Sequence, residues 1–476
     1  MAQRQNKAAA VWPVVGIATI FFATALPAIL TDQMQGRAAG DHWQFHLPMI
    51  QKFVREWPRL DFENYLSATT PLYHVVLAAV AQAIGASTLV LRLVGSVFTV
   101  GLLTVLAWVC SRRGERPGLV LAACMPVAAS LYVWPAGVWL LPDNAGWLGV
   151  LGILLLALSA RQTLGVMVAS GAVLALLVLT RQNHVWAAGV VWFAAWIGET
   201  FADECDESRV LLPVKHLFAG FGQRVLRTIP AVIATLPAIG LVAVFVALWG
   251  GLVVPRYQGM YGGVALETPA FSLSLVAIYS VFFGGWLWPQ IAVVLREHAG
   301  ALMLAVIAAL VLAIVPVTAW SPPGRKGGLW EVVHAAPVIW GHTSALILVL
   351  APCGAAALVV LLSRLPVRER WVMLIAWLGF LAAQTASPLP WQRYHEPFLL
   401  MWIVLAVCLG SGRVWRWAWA GPVALAIGFA TLTYQANIGP ARADQDVRYP
   451  LTSPNYWGPP TPEPKVYTEE QFLRRR

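Results

Sequence analysis

Three short clusters of ionisable residues interrupt a sequence that is otherwise strongly apolar. The first includes the stretch GDHWQFHLP, with Asp41, His42 and His46, and continues to Asp61. A carboxylate in such a segment is a candidate general base, because it can take the proton of an attacking hydroxyl group. Asp41 also suits the N-cap position of a helix that begins near it, and this second interpretation does not exclude the first.

The second and third clusters lie in TRQNHVW and PLPWQRYHEPF. Their candidate residues are Arg181, Gln182, Asn183, His184, Arg393, Tyr394, His395 and Glu396. An arginine between aromatic residues can stack on their rings and bind a phosphate through two N–H groups. Each segment also fits a plain connecting loop. No third ligand is fixed by the spacing around His395 and Glu396, so we predict no metal site there.

The composition indicates that lipid is the solvent for most of the chain. Of 476 residues, 59% are hydrophobic and 11% are charged, and the mean hydropathy is +0.69. A soluble chain is about a quarter charged. We predict an all-α, polytopic membrane protein with roughly 11 to 14 transmembrane helices. The apolar runs are 12–30, 71–85, 88–110, 118–140, 146–160, 163–180, 184–198, 229–252, 271–294, 299–320, 341–363, 371–388, 396–411 and 414–435.

The chain divides into a membrane domain and a tail. We predict one integral domain over 1–436, with a long, polar, non-cytoplasmic first loop at 31–70, and an extended Pro-rich tail over 437–476. The basic start MAQRQNK precedes a retained first helix, which places the N-terminus in the cytoplasm. If every apolar run crosses the membrane, the basic segment SRRGERPG lies on the non-cytoplasmic side, against the positive-inside rule. We therefore expect one of the runs within 71–110 to enter the membrane only part of the way.

Several function classes are not favoured by the pattern. The net charge of +10 fits cytoplasmic Lys and Arg rather than nucleic-acid binding, which needs a clustered basic surface. The five cysteines are scattered without a CxxC spacing and are interpreted as packing residues. No Walker A or GxGxxG motif is credible here.

One acid in an outer loop with two Arg/His segments suits glycosyl transfer from a lipid phosphate. The acceptor hydroxyl needs a base, and the anomeric carbon passes through an oxocarbenium-like state. The leaving phosphate needs cationic and hydrogen-bonding stabilisation rather than a strong acid. A polyprenyl tail would lie in the bilayer, so the chemistry belongs just outside the lipid.

Five stretches resemble motifs of the polytopic GT-C glycosyltransferases, most closely the dolichyl-phosphate-glucose α-1,2-glucosyltransferases. They are DHWQFHLP, ATTPLYH, LLPDNAG, RQNHVW and WQRYHEPF, in the family's order. The family patterns are an acidic pair before F-H-x-P, T-T-P-x-x-L-Y, a Tyr-Thr-Asp element, R-Q-T-N-x-x-W and E-F-R-Y-x-x-x-P. His42 replaces the second acid, and GGLVVPRYQGMYGGVALE replaces the family's polar central loop.

The resemblance implies an inverting hexosyltransferase that uses a polyprenyl-phosphate sugar, with glucose the best guess. It implies a lipid-linked glycan or protein acceptor, no cofactor, no metal and no nucleic acid. Asp41 would be the general base, with Asp61 next in line. The donor or acceptor site would contain His46, Tyr73, Asp143, Arg181, Asn183, His184, Arg393, Tyr394, His395 and Glu396. We expect the site on the non-cytoplasmic side of a bacterial plasma membrane.

Two other functions fit a polytopic chain. A transporter or lipid flippase would show internal repeats and helices broken at matching positions, and we detect no such repeat. A non-catalytic subunit of a larger glycan machine would tolerate Asp41→Asn.

Overall fold

Helices hold most of the described chain, which confirms the all-α prediction. The computed structural model describes residues 7–31, 36–112, 116–199, 214–321 and 327–437. The earlier helices are α1 (Lys7–Thr31), α2 (Arg37–Asp41), α3 (Leu47–Glu56), α4 (Leu72–Ile84), α5 (Thr88–Ser111), α6 (Pro117–Ala129), α7 (Val133–Val138), α8 (Asp143–Ala157), α9 (Leu164–Thr180), α10 (Ala187–Ile197) and α11 (Val214–Phe218). The later ones are α12 (Phe221–Trp249), α13 (Pro255–Tyr261), α14 (Thr268–Phe282), α15 (Gly284–Glu297), α16 (Ala299–Ile314), α17 (Leu329–Ala335), α18 (Ala345–Ser363), α19 (Val367–Thr385), α20 (Gln392–Leu409) and α21 (Ala420–Asn437). Strands β1 (Val338–Ile339) and β2 (Thr343–Ser344) form a small antiparallel hairpin.

Four described helices are long and apolar enough to cross a membrane. They are Val11–Thr31, Thr88–Ser111, Phe221–Trp249 and Ala345–Ser363. The pair α14 and α15, bent by 107°, makes a fifth if it counts as one span. The shorter apolar helices are α4, α6, α8, α9 and α16. These helices support membrane insertion, and the predicted count of spans stays a prediction.

The first polar segment, which is the predicted first loop at 31–70, is helical from Arg37 to Glu56. Helix α2, a π-helical turn at His42–His46 and α3 form one continuous helix, since the backbone stays helical at both junctions. Gly36, with φ of 104°, occupies the N-cap position before Arg37. Asp41 lies five residues inside this helix, so its interpretation as an N-cap is wrong. Pro71 occupies the N-cap position of α4, close to the predicted helix start.

Two helices mark the two ends of the bundle. Helix α8 begins at Asp143, and the carbonyl of Ala157 at its other end accepts a hydrogen bond from Arg368. Helix α20 begins beside Arg393 and ends where Arg364 contacts the following chain. At 1.5 Å per residue these helices are about 22 and 27 Å long. We call the end with Asp143 and Arg393 the carboxylate end, and the opposite one the arginine end.

The arginine end consists of side chains that complete helix termini. Arg364, Arg368 and Arg370 are almost fully buried. Arg368 and Arg370 donate to the carbonyls of Gly198, Ala157, Leu362 and Leu365, at the C-terminal ends of three helices, and Arg364 donates to the carbonyl of Trp286 in the first turn of α15. The last carbonyls of a helix have no partner within it and carry partial negative charge. Arginine satisfies both needs, so these residues have a structural role.

Helix α4 stays near the carboxylate end. Helix α5 runs parallel to α8, because Thr99 bonds Asn144 and Gly101 faces Leu148 farther along both helices. Its last residue, Ser111, therefore points toward the arginine end. The hydroxyl of Tyr73, at the start of α4, touches α5 at Gly95, well before that end. This geometry favours the prediction that one run within 71–110, here α4, enters the membrane only part of the way.

Three cysteines have the packing role expected of them. Cys110, Cys124 and Cys408 are buried, whereas Cys353 is exposed, and all four are free thiols. Cys205 and the tail from 438 onward lie outside the described residues.

Candidate active site

An accessible ion pair joins the first polar segment to α20. Oδ2 of Asp41 lies 3.0 Å from Nη1 of Arg393, and the two side chains are 22% and 21% exposed. Arg393 lies in the first turn of α20, where the helix dipole disfavours a cation, and Asp41 offsets that charge. No described residue hydrogen-bonds Oδ1 of Asp41. This oxygen is therefore available to a ligand.

A second, more deeply buried ion pair joins α8 to α9. Asp143 is the first residue of α8 and Arg181 follows the last residue of α9. A carboxylate at a helix N-terminus and a cation at a C-terminus both suit the dipole. The side chains are 12% and 10% exposed, and Nη1 of Arg181 contacts Oδ1 of Asp143. The sequence places the two residues in different motifs, and the fold brings them into contact.

Tyr394 connects the two ion pairs. The guanidinium carbons of Arg393 and Arg181 lie 5.1 and 5.7 Å from the centre of its ring. Its hydroxyl lies 3.2 Å from that of Tyr261, in α13. We call Asp41, Arg393, Tyr394, Arg181 and Asp143 the acid–arginine cluster. All five were predicted site residues, drawn from four separate parts of the chain.

A third arginine borders this cluster. The guanidinium carbon of Arg37 lies 4.6 Å from the ring centre of Trp391, and that of Arg393 lies 5.9 Å from it. Three arginines near two carboxylates leave excess positive charge, which suits a phosphate group. Sequence reasoning missed Arg37. The available signal was its spacing of four residues before Asp41, which puts both on one helix face.

Several polar atoms behind the cluster have no protein partner. Both ring nitrogens of His184, Nε of Arg181 and the hydroxyl of Tyr73 are buried and unbonded within the described chain. The His184 ring lies 4.9 Å from that of Trp147. A side chain at Gly146 would come within 3.1 Å of Arg181, so glycine permits this close packing. Buried unpaired polar groups are costly, so water or a ligand group is expected here.

His46 lies beside the acid–arginine cluster. Its Nδ1 atom is 2.9 Å from Nε2 of His74 in α4. Burial lowers the pKa of His46 to about 4, and the charges of Asp41 and Asp143 oppose this effect. His46 is therefore neutral at neutral pH.

His42 is a buried, neutral imidazole. Its ring lies between Trp43 and Trp139, and its Nδ1 accepts a hydrogen bond from the backbone of Leu140. Burial holds its pKa well below the ordinary value. At this position the resembling family has a second acid, and a neutral imidazole does not replace its negative charge.

Asp61 has its partners outside the acid–arginine cluster. Asp61 binds Lys52 of α3 at 2.9 Å and Asn64 of its own loop at 2.9 Å. Bonds from Asn64 and Lys52 hold the pKa of Asp61 well below its ordinary value. Asn183 is exposed. The structure therefore favours Asp41 over Asp61 as the carboxylate that meets the arginines.

Glu396 and His395 point into the helix bundle. Glu396 is fully buried and accepts hydrogen bonds from Ser130, Tyr279 and Gln392. His395 is also fully buried, with Nδ1 2.7 Å from the hydroxyl of Ser272. These contacts join α20 to neighbouring helices, so they position Arg393 and Tyr394 from behind.

Within the described ranges, no three His, Cys, Asp or Glu side chains are placed to hold a metal ion. Metal independence stays a prediction. No family model, curated protein or solved structure matches this chain significantly. The function is therefore argued from the residues and their geometry.

Proposed function

We propose that this protein is a GT-C-type membrane glycosyltransferase. It transfers a hexose, which we propose to be glucose, from a polyprenyl-phosphate sugar to a lipid-linked glycan or protein acceptor. The observation that carries the proposal is the acid–arginine cluster. It combines an accessible carboxylate with arginines and aromatic rings, at one end of a bundle that contains apolar spans.

The cluster supports a single displacement. The free Oδ1 of Asp41 takes the proton of the acceptor hydroxyl, and the hydroxyl oxygen attacks the anomeric carbon. The bond from that carbon to the phosphate oxygen breaks, and its electron pair leaves with the phosphate. Arg393 and Arg37 stabilise the phosphate charge, and they are preorganised by Asp41 and Trp391. Attack opposite the leaving group inverts the anomeric configuration.

The arrangement of the two ends supports a membrane orientation. Helices α8 and α20, about 22 and 27 Å long, approach the thickness of the hydrocarbon core, about 30 Å. The positive-inside rule places the arginine end on the cytoplasmic side. The carboxylate end then faces the non-cytoplasmic side of a bacterial plasma membrane, and the remaining apolar helices complete roughly 11 to 14 spans.

The test is transfer of labelled glucose from undecaprenyl- and dolichyl-phosphate-glucose by the full chain reconstituted in lipid vesicles that contain membrane lipid extract. Asp41→Asn should lower the rate by about 10² to 10⁴-fold, the usual contribution of a positioned base. Glu56→Gln is the matched control, because Glu56 is a partly exposed acid of the same continuous helix whose partners, Lys52 and the backbone N–H of Asp61, lie outside the acid–arginine cluster. It should retain the wild-type rate.

Other outcomes would redirect or overturn the proposal. Activity with a mannose, galactose or pentose donor would keep the enzyme class and change the sugar. Absence of transfer from every donor would overturn it. Movement of a lipid-linked sugar across the vesicle membrane without transfer would then favour a flippase.

A further inference from the structure

A buried chain of hydrogen bonds begins beside the acid–arginine cluster. Nδ1 of His46 lies 2.9 Å from Nε2 of His74, and Nδ1 of His74 lies 2.6 Å from the hydroxyl of Tyr65. The Tyr65 hydroxyl also donates to the carbonyl of Thr70 at 3.2 Å. The chain joins the π turn, the loop before α4 and α4 itself. Neither His74 nor Tyr65 was a predicted site residue.

We assign the direction of these hydrogen bonds from the carbonyl at the far end. The hydroxyl of Tyr65 has one proton, and this assignment gives it to the carbonyl of Thr70, which can only accept. The oxygen of Tyr65 then accepts from Nδ1–H of His74. Neutral His74 consequently has its lone pair on Nε2, where it accepts from Nδ1–H of His46. Neutral His46 is thereby held in the tautomer with a lone pair on Nε2.

Packing keeps the far end of the chain in place. The Tyr65 ring stacks on Trp249 with 2° between the planes, and also on Phe53. The side chain of Thr70 donates to the carbonyl of Val178 in α9. Burial raises the pKa of Tyr65 above its ordinary value, so the phenol stays protonated. The orientation of His46 is therefore determined by groups remote from the reaction.

The open end of the chain is at His46. His46 is 7% exposed, whereas His74 is 0% exposed. No described residue hydrogen-bonds Nε2 of His46. Asp41 precedes His46 by five residues across the π turn, and π-helical bonding from i to i+5 brings such residues to a common side. The charged groups that face His46 are Asp41, Asp143, Arg181 and Arg393.

We propose that His46 is a second proton acceptor of this site, and that His74 and Tyr65 are positioning residues that hold it in the accepting tautomer. The proposal rests on the proposed glycosyl transfer. The acceptor's proton passes to Oδ1 of Asp41 and then to Nε2 of His46, which becomes an imidazolium. The electron pair of the broken O–H bond forms the glycosidic bond. Water takes the proton from His46 when the product leaves.

The tautomer can be measured without any activity. The full chain in lipid nanodiscs, labelled with ¹⁵N-histidine, gives ring-nitrogen chemical shifts that distinguish Nδ1–H from Nε2–H. His46→Gln and His74→Gln assign the two signals. We expect both rings to be neutral and protonated on Nδ1 at pH 7.5, and Tyr65→Phe to convert part of the His74 signal to the other tautomer. A wild-type His46 protonated on Nε2 would overturn the positioning roles.

Kinetics test the proton transfer. His46→Gln should lower kcat by about 100-fold, in the range of general base catalysis, with little change in KM. Tyr65→Phe should lower kcat by about tenfold and shift the acidic limb of the pH–rate profile. Tyr434→Phe is the matched control, because Tyr434 is 58% exposed on α21. An unchanged kcat and pH profile in His46→Gln would overturn the proton-acceptor role.

The two proposals fail differently. If the wild-type protein transfers no sugar, both the proposed reaction and the role of His46 as its proton acceptor are overturned. The ¹⁵N shifts would still decide which tautomer His46 adopts. If the wild-type protein transfers sugar and the His46→Gln variant does so at the same rate, only the proposed role of His46 is overturned.

Discussion

The two ends of the bundle use arginine in different ways. At the arginine end, Arg364, Arg368 and Arg370 donate to backbone carbonyls, and those of Arg368 and Arg370 lie at the C-terminal ends of helices. At the carboxylate end, Arg181 and Arg393 meet carboxylates and the ring of Tyr394. Carbonyl partners are fixed by the helices, whereas carboxylate and aromatic partners can exchange contacts with a ligand. The partner, rather than the arginine, therefore distinguishes structural support from a candidate site.

The largest expected difference between the two ends is in catalysis. Under the proposed function, Arg393→Gln should lower kcat by about 10² to 10³-fold, because in that reaction the arginine stabilises the charge of the leaving phosphate. Arg368→Gln should lower the amount of folded protein and leave kcat per folded molecule near the wild-type value. The measurement is glucose transfer normalised to monodisperse protein from size-exclusion chromatography. Equal losses of kcat in both variants would contradict the distinction.

The buried ion pair of the carboxylate end should dominate its stability. Arg181→Gln leaves the carboxylate of Asp143 buried without its cation, and the free energy of unfolding should fall by about 3 to 5 kcal/mol. The double variant Asp143→Asn/Arg181→Gln should recover part of that loss. Denaturant unfolding in mixed micelles measures both. A double variant less stable than Arg181→Gln would show that the pair does not act as a unit.

Acid should weaken the carboxylate end before the arginine end. The pKa of His46 falls from an ordinary 6.5 to about 4 in the folded protein, because burial disfavours its charged form. The unfolded chain binds more protons between these values, so stability is full above about pH 6.5 and declines toward pH 4. Hydrogen exchange at pH 5, corrected for intrinsic rates, should increase more in residues 37–56 than in α19. His46→Gln should reduce that increase. Equal increases in both segments would contradict the assignment.

The smallest effect is expected at Asp61. Its pKa is depressed by Asn64 and Lys52, so its contribution to stability is present above its unfolded pKa and is lost as pH falls through the folded value. The pair with Lys52 is partly exposed, and Asp61→Asn should cost at most about 1 kcal/mol. The transfer rate should not change. A loss of transfer as large as that of Asp41→Asn would make Asp61 the base.

The sequence predicted the helical class and the residues of the acid–arginine cluster for a common physical reason. Charged groups in a strongly apolar chain are costly to bury, so those that persist have partners or a function. Asp41, Arg181 and Arg393 were therefore visible as exceptions to the composition, whereas Asp143 was identified by the resemblance of LLPDNAG to a family motif. Which acid meets which arginine was not predictable, because the pairs join residues 352 and 38 positions apart.

Other features depend on packing that leaves no local pattern. The π turn that brings His46 to the same side as Asp41 has no sequence signature here, because the sequence indicated only a helix that begins near Asp41 within the first loop. His74 follows Tyr73 in a motif that was identified, yet its role depends on contact with His46 across 28 positions. Asn183 belongs to an identified motif and is exposed, and its place in the donor or acceptor site stays a prediction.

The Asp41–Arg393 contact also has a consequence for synthesis. Its two halves are separated by 352 positions, so the ribosome must pass α20 before the contact can form. Every earlier intermediate in the translocon carries the first polar segment without its arginine partner. The acid–arginine cluster is thus completed only after almost the whole chain has been synthesised, among the last steps of folding.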